Sequence, residues 1–259
     1  MIREAVVLAS GFGRRLRKLT GGVPKVFYKV MGMELVKYPM LSLMEAGVER
    51  FIVVVPEGFK ALGYKVLHDL GVEGAVVEND RISLGNAYSF MVTEKYTGDV
   101  FLLSCGDSLY TGDAARKMVK DPDFAHIKLA VSRVDEYIDP DEASKVLLDE
   151  RGKILNIGKG IQDYTHYDTG LFVMTKEVYK LRKKMEWNRE ISLFHVLQKA
   201  IDERMEVKGV DLGEEPWTEV DTVEDLEMVL KGKGASILAA ITEGSRWKAK
   251  ARMASYRDI

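Results

Sequence analysis

A short apolar run, Ala5 to Leu8, breaks at once into a glycine-rich loop crowded with cations, and residues 5–25 read AVVLASGFGRRLRKLTGGVPK. The run has the length and β-branched content of a buried strand. Ser10, Gly11 and Gly13 follow it, so few side chains keep a ligand away from the backbone N–H groups. Arg14, Arg15, Arg17, Lys18 and Lys25 then bring full positive charge into the same segment. A loop with both amide dipoles and cations suits a polyanion, and a nucleoside triphosphate is the obvious candidate.

Two familiar glycine loops fail the comparison. No G-x-x-x-x-G-K-[ST] string occurs anywhere in the chain, which excludes a P-loop. A dinucleotide-binding fingerprint needs a third glycine where Leu16 stands. The next strand, Phe51 to Val55, also ends in Pro56-Glu57, a poor match for an acidic ribose ligand.

The rest of the chain bounds the answer. Its 259 residues, 46% hydrophobic and 30% charged, fit a soluble α/β protein with a sizeable core. A net charge of −2 gives no general pull toward nucleic acid. Cys105 is the only cysteine, which excludes an internal disulfide and a cysteine-based zinc site, and fits a reducing cytoplasm. No apolar run reaches a membrane-spanning length and the N-terminus does not read as a signal peptide, so a cytoplasmic location is expected. Only four Asn and two Gln stand beside 78 charged residues, a bias of heat-adapted proteins that twelve Met oppose.

Strand and helix patterns alternate through the first half. Helical spacing over 34–46 is stopped by Gly47, Arg50 to Val55 reads as a buried strand, and 59–70 as a helix ended by Gly71. Ala75 to Glu78 is a short strand, Ser83 is expected to cap a helix running to Lys95, and Asp99 to Ser104 is again apolar. This rhythm predicts a doubly wound sheet with ligands at the carboxyl ends of its strands. After a helix at 111–120, strands are expected at 128–133, 144–148, 153–157, 169–174 and 205–211. The second and third of these are joined by an Asp149–Gly152 turn. Helices are expected at 176–185, 190–203 and 222–231, the last with Val223, Leu226 and Leu230 on one face. His126 and His166 lack metal spacing to any carboxylate, and His166 reads as a surface-loop residue.

Leu8, Gly11, Gly13, Arg15, Leu16, Pro24 and Lys25 together match L-x-x-G-x-G-x-R-[LM]…P-K, and in this the chain resembles the nucleotidylyltransferases that make nucleotide-activated sugars and polyols. Lys18 stands where that family often has proline. The resemblance covers 1–231 and implies a Rossmann-like, doubly wound mixed sheet of the nucleotide-diphospho-sugar transferase type. A nucleotide-binding half over 1–125 and a β-rich acceptor-binding half over 126–231 are expected. It implies that Leu8, Ser10, Gly11 and Gly13 hold the nucleotide and that Arg15 and Lys25 are catalytic. The Gly-Asp of Ser-Cys-Gly-Asp-Ser-Leu and the Val-Asp-Thr of Trp-Thr-Glu-Val-Asp-Thr would supply Mg²⁺ ligands, Asp107 and Asp221. Two carboxylates from separate strand ends suit that ion, although helix capping is an alternative for Asp221. Asn79, Gly85 and Asn86 resemble the base-contacting segment.

The stretch 157–172, IGKGIQDYTHYDTGLF, resembles that of the inositol-1-phosphate cytidylyltransferases, which condense CTP with inositol-1-phosphate on the way to di-myo-inositol phosphate. By that resemblance Lys159 would bind the acceptor phosphate, and Asp168, Thr169 and Gly170 would line the acceptor site, with the two side chains on polyol hydroxyls. Another sugar-1-phosphate or phosphocholine acceptor is the alternative, and so is a non-catalytic subunit that binds a nucleotide sugar. The tail, 232–259, has six basic residues against two acidic ones and an apolar stripe of Ile237, Leu238 and Ile241. It reads either as a docking segment for a membrane-bound downstream enzyme or an anionic membrane, or as a terminal helix packed on its own domain or on a homodimer mate.

Overall fold

The computed structural model describes residues 2–134 and 136–244. Strand β1 (Glu4–Leu8) enters the glycine loop and helix α1 (Arg17–Thr20), which Gly21 ends in a left-handed turn. A small ribbon of β2 (Lys29–Val30) and β3 (Met33–Glu34) leads to α2 (Lys37–Glu45). Pro39 lies in the first turn of α2, where its missing N–H is harmless, so the helix begins later than the 34–46 spacing predicts.

The winding continues through β4 (Arg50–Pro56), α3 (Lys60–Leu70), β5 (Glu73–Asn79), α4 (Asn86–Met91) and β6 (Val100–Cys105). Gly71 closes α3 at φ 64°, as its position in the sequence predicts. Ser83 does not cap α4. The residue before that helix is Gly85, at φ 86° and ψ −176°, a conformation open essentially to glycine alone. The helical run therefore starts at Asn86 and is short.

The second half begins with β7 (Ser108–Tyr110) and α5 (Gly112–Lys120), capped by the Thr111 hydroxyl accepting from the Ala114 N–H at 3.2 Å. Strands β8 (Ile127–Ser132), β9 (Lys145–Leu148), β10 (Ile154–Gly158) and β11 (His166–Thr175) follow. The expected helix at 176–185 is a 3₁₀ helix over Lys176–Lys184. Then come α6 (Leu193–Asp202), β12 (Val207–Asp211), β13 (Trp217–Glu219), α7 (Val223–Lys231) and α8 (Ala235–Gly244).

One nine-stranded mixed sheet unites the two halves. Strands β6, β1, β4 and β5 run parallel in that order, and β11 joins antiparallel to β6 with Leu171 opposite Ser104. Alternation along β1 sends Ala5 and Val7 into one core layer and Val6 and Leu8 into the other. The first layer packs α2, α3 and α5, and the second packs α4 and α6. Helix α7 buries Leu226 and Val229 and leaves Val223 38% exposed, which corrects the predicted apolar face. The described part of the tail is α8, whose Ile237, Leu238 and Ile241 are buried in the same core layer as α2. This supports the packed-helix reading for that segment. The basic residues from Arg246 onward lie outside the described residues. No described helix is long and apolar enough to cross a membrane.

Candidate active site

The carboxyl ends of β1 and β6 open into a cavity of about 630 Å³. At its floor, the glycine loop and Lys25 fix one another. The Lys25 N–H donates to the Gly11 carbonyl at 3.2 Å, and the Lys25 side chain runs beneath Gly13, where an added Cβ would lie 2.7 Å from it. Gly13 also has φ 60°. Both facts require glycine, which explains the spacing between the second loop glycine and the Pro24-Lys25 pair. Leu16 is buried and anchors the turn that presents Arg15 to the opening.

Lys25 is 5% exposed. Its ammonium lies 2.5 Å from Asp107 Oδ2, contacts Asp221 Oδ1 and donates to the Val220 carbonyl at 3.0 Å. Burial alone would lower its pKa, but the Asp107 and Asp221 charges and their hydrogen bonds outweigh it and raise the value above the ordinary lysine range. The same contact works in reverse on Asp221: burial pushes the carboxyl up, and Lys25 with Arg15 pulls it below its usual value.

Asp221 does not cap α7. That role belongs to Thr222, which accepts from Asp225 N–H at 3.1 Å, while Asp225 accepts from the Thr222 N–H at 2.8 Å. The Asp221 side chain is thus left for Lys25 and for Arg15, 3.4 Å away.

Of the residues expected from the sequence, Leu8, Ser10, Gly11, Gly13, Arg15, Lys25, Gly85, Asn86, Asp107, Lys159, Asp168, Gly170 and Asp221 all line this one cavity. Two do not. Asn79 is 1% exposed, donates to the Ser89 hydroxyl at 2.9 Å and accepts from Arg81 N–H at 2.8 Å. Its amide is committed to these two groups and does not line the cavity. Thr169 is buried as well, because a bulge in β11 between Asp168 and Phe172 turns it toward β8. Its hydroxyl donates to the Ala130 carbonyl at 2.8 Å. His166 also departs from expectation: it is 4% exposed in β11 and lies 3.2 Å from Asp211.

Gly85 is fixed by geometry. A Cβ there would collide with the Ile191 carbonyl, and its neighbour Asn86 accepts from the Leu193 N–H at 2.8 Å. Gly85→Ala is expected to cost about 3 kcal/mol of folding stability, since strain and a backbone clash add. Urea denaturation measures it, and an unchanged midpoint would contradict the assignment.

The far wall carries Asp168, whose carboxylate accepts from Gly170 N–H at 2.8 Å. Burial raises its pKa to about 6, against which the Gly170 bond acts weakly. The folded value lies above the unfolded one, so the charged form is disfavoured in the folded protein. The native state therefore gains least from this residue above pH 6 and recovers the difference as pH falls toward 4. Asp168→Asn is expected to stabilise the protein by about 2 kcal/mol at pH 8, with the gain vanishing near pH 4. Thermal melts at the two pH values test this, and equal melting shifts would contradict it.

Sequence reasoning missed Glu219 and Glu142, which also line the cavity. Burial and the charges of Asp221 and Asp107 push the Glu219 carboxyl well up. The signal was there: Glu219 lies two residues before Asp221. Glu142 stands on an irregular turn with no sequence signal, 3.1 Å from Arg15 and 3.8 Å from Lys159. The Cys105 thiol is also pushed up, by burial and by Asp107 and Asp168, so it stays protonated and is no thiolate nucleophile.

This geometry can hold a polyanion beneath a cationic loop and a second, phosphorylated molecule across from it. The family model described as nucleotidyl transferase matches residues 4–232. A "Bifunctional IPC transferase and DIPP synthase" from Aquifex aeolicus is 29% identical over 245 residues, covering 94% of this chain and 55% of that protein. One of the same name from Archaeoglobus fulgidus is 30% identical over 244 residues, 94% of this chain and 46% of that protein. The chain thus spans about half the length of these relatives. The solved inositol-1-phosphate CTP transferase from T. maritima is 54% identical, has a TM-score of 0.90, and the match covers 94% of this chain and 98% of that one. The family model and the fold agree, and the chain belongs to the nucleotidyl transferase family.

Proposed function

We propose that this nucleotidyltransferase joins CTP to inositol-1-phosphate, forming CDP-inositol and pyrophosphate. One observation carries the chemistry: Lys25 is buried beneath the glycine loop between Asp107 and Asp221, and Lys159 and Asp168 line the same cavity. The choice of CTP and of a polyol phosphate is supported by the name of the 54% identical T. maritima protein.

Asp107 and Asp221 fit Mg²⁺. Both reach the same nitrogen atom, so their oxygens are close enough to share one small hard cation. Among the described residues no three His, Cys, Asp or Glu form a closed cage, and Mg²⁺ typically takes one or two carboxylates and completes its shell with phosphate oxygens and water. When bound there, it would offset negative charge on the triphosphate.

The chain's own residues then do the following. Arg15 and the loop amides hold the β- and γ-phosphates that leave. Lys25, charged throughout the working pH range, sits against the α-phosphate and stabilises charge that grows there. Lys159 holds the acceptor phosphate, and Asp168 accepts from a polyol hydroxyl. A phosphate monoester has a second pKa of about 6, so the attacking oxygen is already ionised and needs no general base. Rate acceleration comes from alignment and charge stabilisation.

Acceptor phosphate labelled with ¹⁸O tests the direction of attack. Label is expected in CDP-inositol and absent from pyrophosphate. Label in pyrophosphate would overturn attack at the α-phosphorus.

A further inference from the structure

Rows of alternating charge cross the mouth of the cavity. Asp221 Oδ2 lies 3.4 Å from Arg15, Arg15 lies 3.1 Å from Glu142 Oε2, and the same Glu142 oxygen lies 3.8 Å from Lys159. Glu142 is the one member of this chain without a role in the proposed reaction. It is held in place by its surroundings. Its own N–H and that of Ala143 both donate to the Asp139 carbonyl, and Ala143 is buried in the core. Two residues on, the Ser144 carbonyl accepts from the Asp168 N–H at 2.9 Å. The turn is therefore pinned beside the acceptor wall.

We propose that Glu142 is a specificity-determining residue that reads an acceptor hydroxyl flanking the phosphate-bearing carbon. This rests on the polyol-phosphate reading above. In the free protein both of its partners are cations, and both face phosphates when substrates are bound: Arg15 the triphosphate, Lys159 the acceptor. Each phosphate draws its cation away from Glu142. The carboxylate, half-exposed at the cavity mouth, is then left with open lone pairs next to the acceptor phosphate. It is an acceptor only, so what satisfies it is a donor. Glu142 Oε2 lies 3.8 Å from the Lys159 ammonium, so a hydroxyl on the carbon next to the phosphate-bearing one would come within its reach when Lys159 holds that phosphate. The charge also excludes: a second phosphate or a carboxylate at that carbon would face Glu142 directly, so the site takes monophosphates with a neutral, hydroxyl-rich body.

The test compares inositol-1-phosphate with its 2-deoxy and 6-deoxy analogues, using CTP, Mg²⁺ and pyrophosphate release. A hydrogen bond to a charged group is expected to make one of the two analogues roughly 10- to 100-fold poorer in kcat/KM for the unmodified chain. In Glu142→Ala that penalty should fall to about twofold or less, and in Glu142→Gln, which keeps the shape and loses the charge, to an intermediate value. Glu142 is 52% exposed, and circular dichroism checks that both variants fold. If the deoxy penalty is unchanged in both variants, or if all three acceptors weaken equally, Glu142 only orders its cations and the inference is wrong. Failure of the underlying reading looks different: the unmodified chain would then turn over none of the three acceptors.

Discussion

Lys25→Ala is expected to lower turnover by about a thousandfold while far-UV circular dichroism stays that of the folded protein. Losing one preorganised charge at a developing anion typically costs a factor of roughly 10² to 10³, and Lys25 is the cation buried under the loop. Arginine is not expected to rescue it, because a planar fork does not fit where an ammonium 5% exposed meets Asp107, Asp221 and the Val220 carbonyl. The variant also leaves Asp107 and Asp221 facing each other with only Arg15, on Asp221, as a counter-charge. A stability loss of about 2 kcal/mol follows, discounted because both carboxylates are partly solvated. Mg²⁺ should recover much of that loss in a thermal melt. Near-normal turnover in Lys25→Ala would sink the assignment of this site.

Asp221→Asn is expected to cut turnover by at least about 100-fold and to raise the Mg²⁺ concentration needed for half-maximal rate. Its effect on stability should stay within about 1 kcal/mol, because α7 is capped by Thr222 and Asp225 rather than by Asp221. Thr222→Ala gives the opposite pattern, a loss of about 1 kcal/mol with catalysis retained. Combining Asp107→Asn with Asp221→Asn should cost little more than either alone, since groups that act as a unit are not additive. A pattern in which Asp221→Asn destabilises the fold and spares turnover would return Asp221 to a structural role.

The site was legible where a residue type is forced by local geometry. Gly13 must be glycine because Lys25 passes under it, and that constraint is written into the sequence as a spacing. Asp107 follows β6 of the wound sheet, at the end where such a sheet places its ligands, whereas Asp221 follows β13 of a separate two-stranded sheet and reaches Lys25 from there. What escaped were positions decided by tertiary hydrogen bonds. Asn79 ends β5 as a base-reading residue would, yet Ser89 and Arg81 claim its amide. Thr169 sits in the same motif as Asp168, but a bulge that no periodicity announces turns it away. Strands β7 and β13 are three residues each and pair only with one another, too short for alternation to register. The early start predicted for α4 failed on a single torsion, the positive φ of Gly85.

The most direct measurement is pyrophosphate release by the purified protein with Mg²⁺. CTP, UTP, dTTP, ATP and GTP are each crossed with inositol-1-phosphate, glucose-1-phosphate, mannose-1-phosphate and phosphocholine. The proposed function predicts strong turnover for CTP with inositol-1-phosphate and weak or no turnover elsewhere. Preference for another pair would keep the fold and the chemistry of Lys25, Asp107 and Asp221 but contradict the acceptor reading of Lys159 and Asp168. Silence with every pair would contradict the proposed reaction itself.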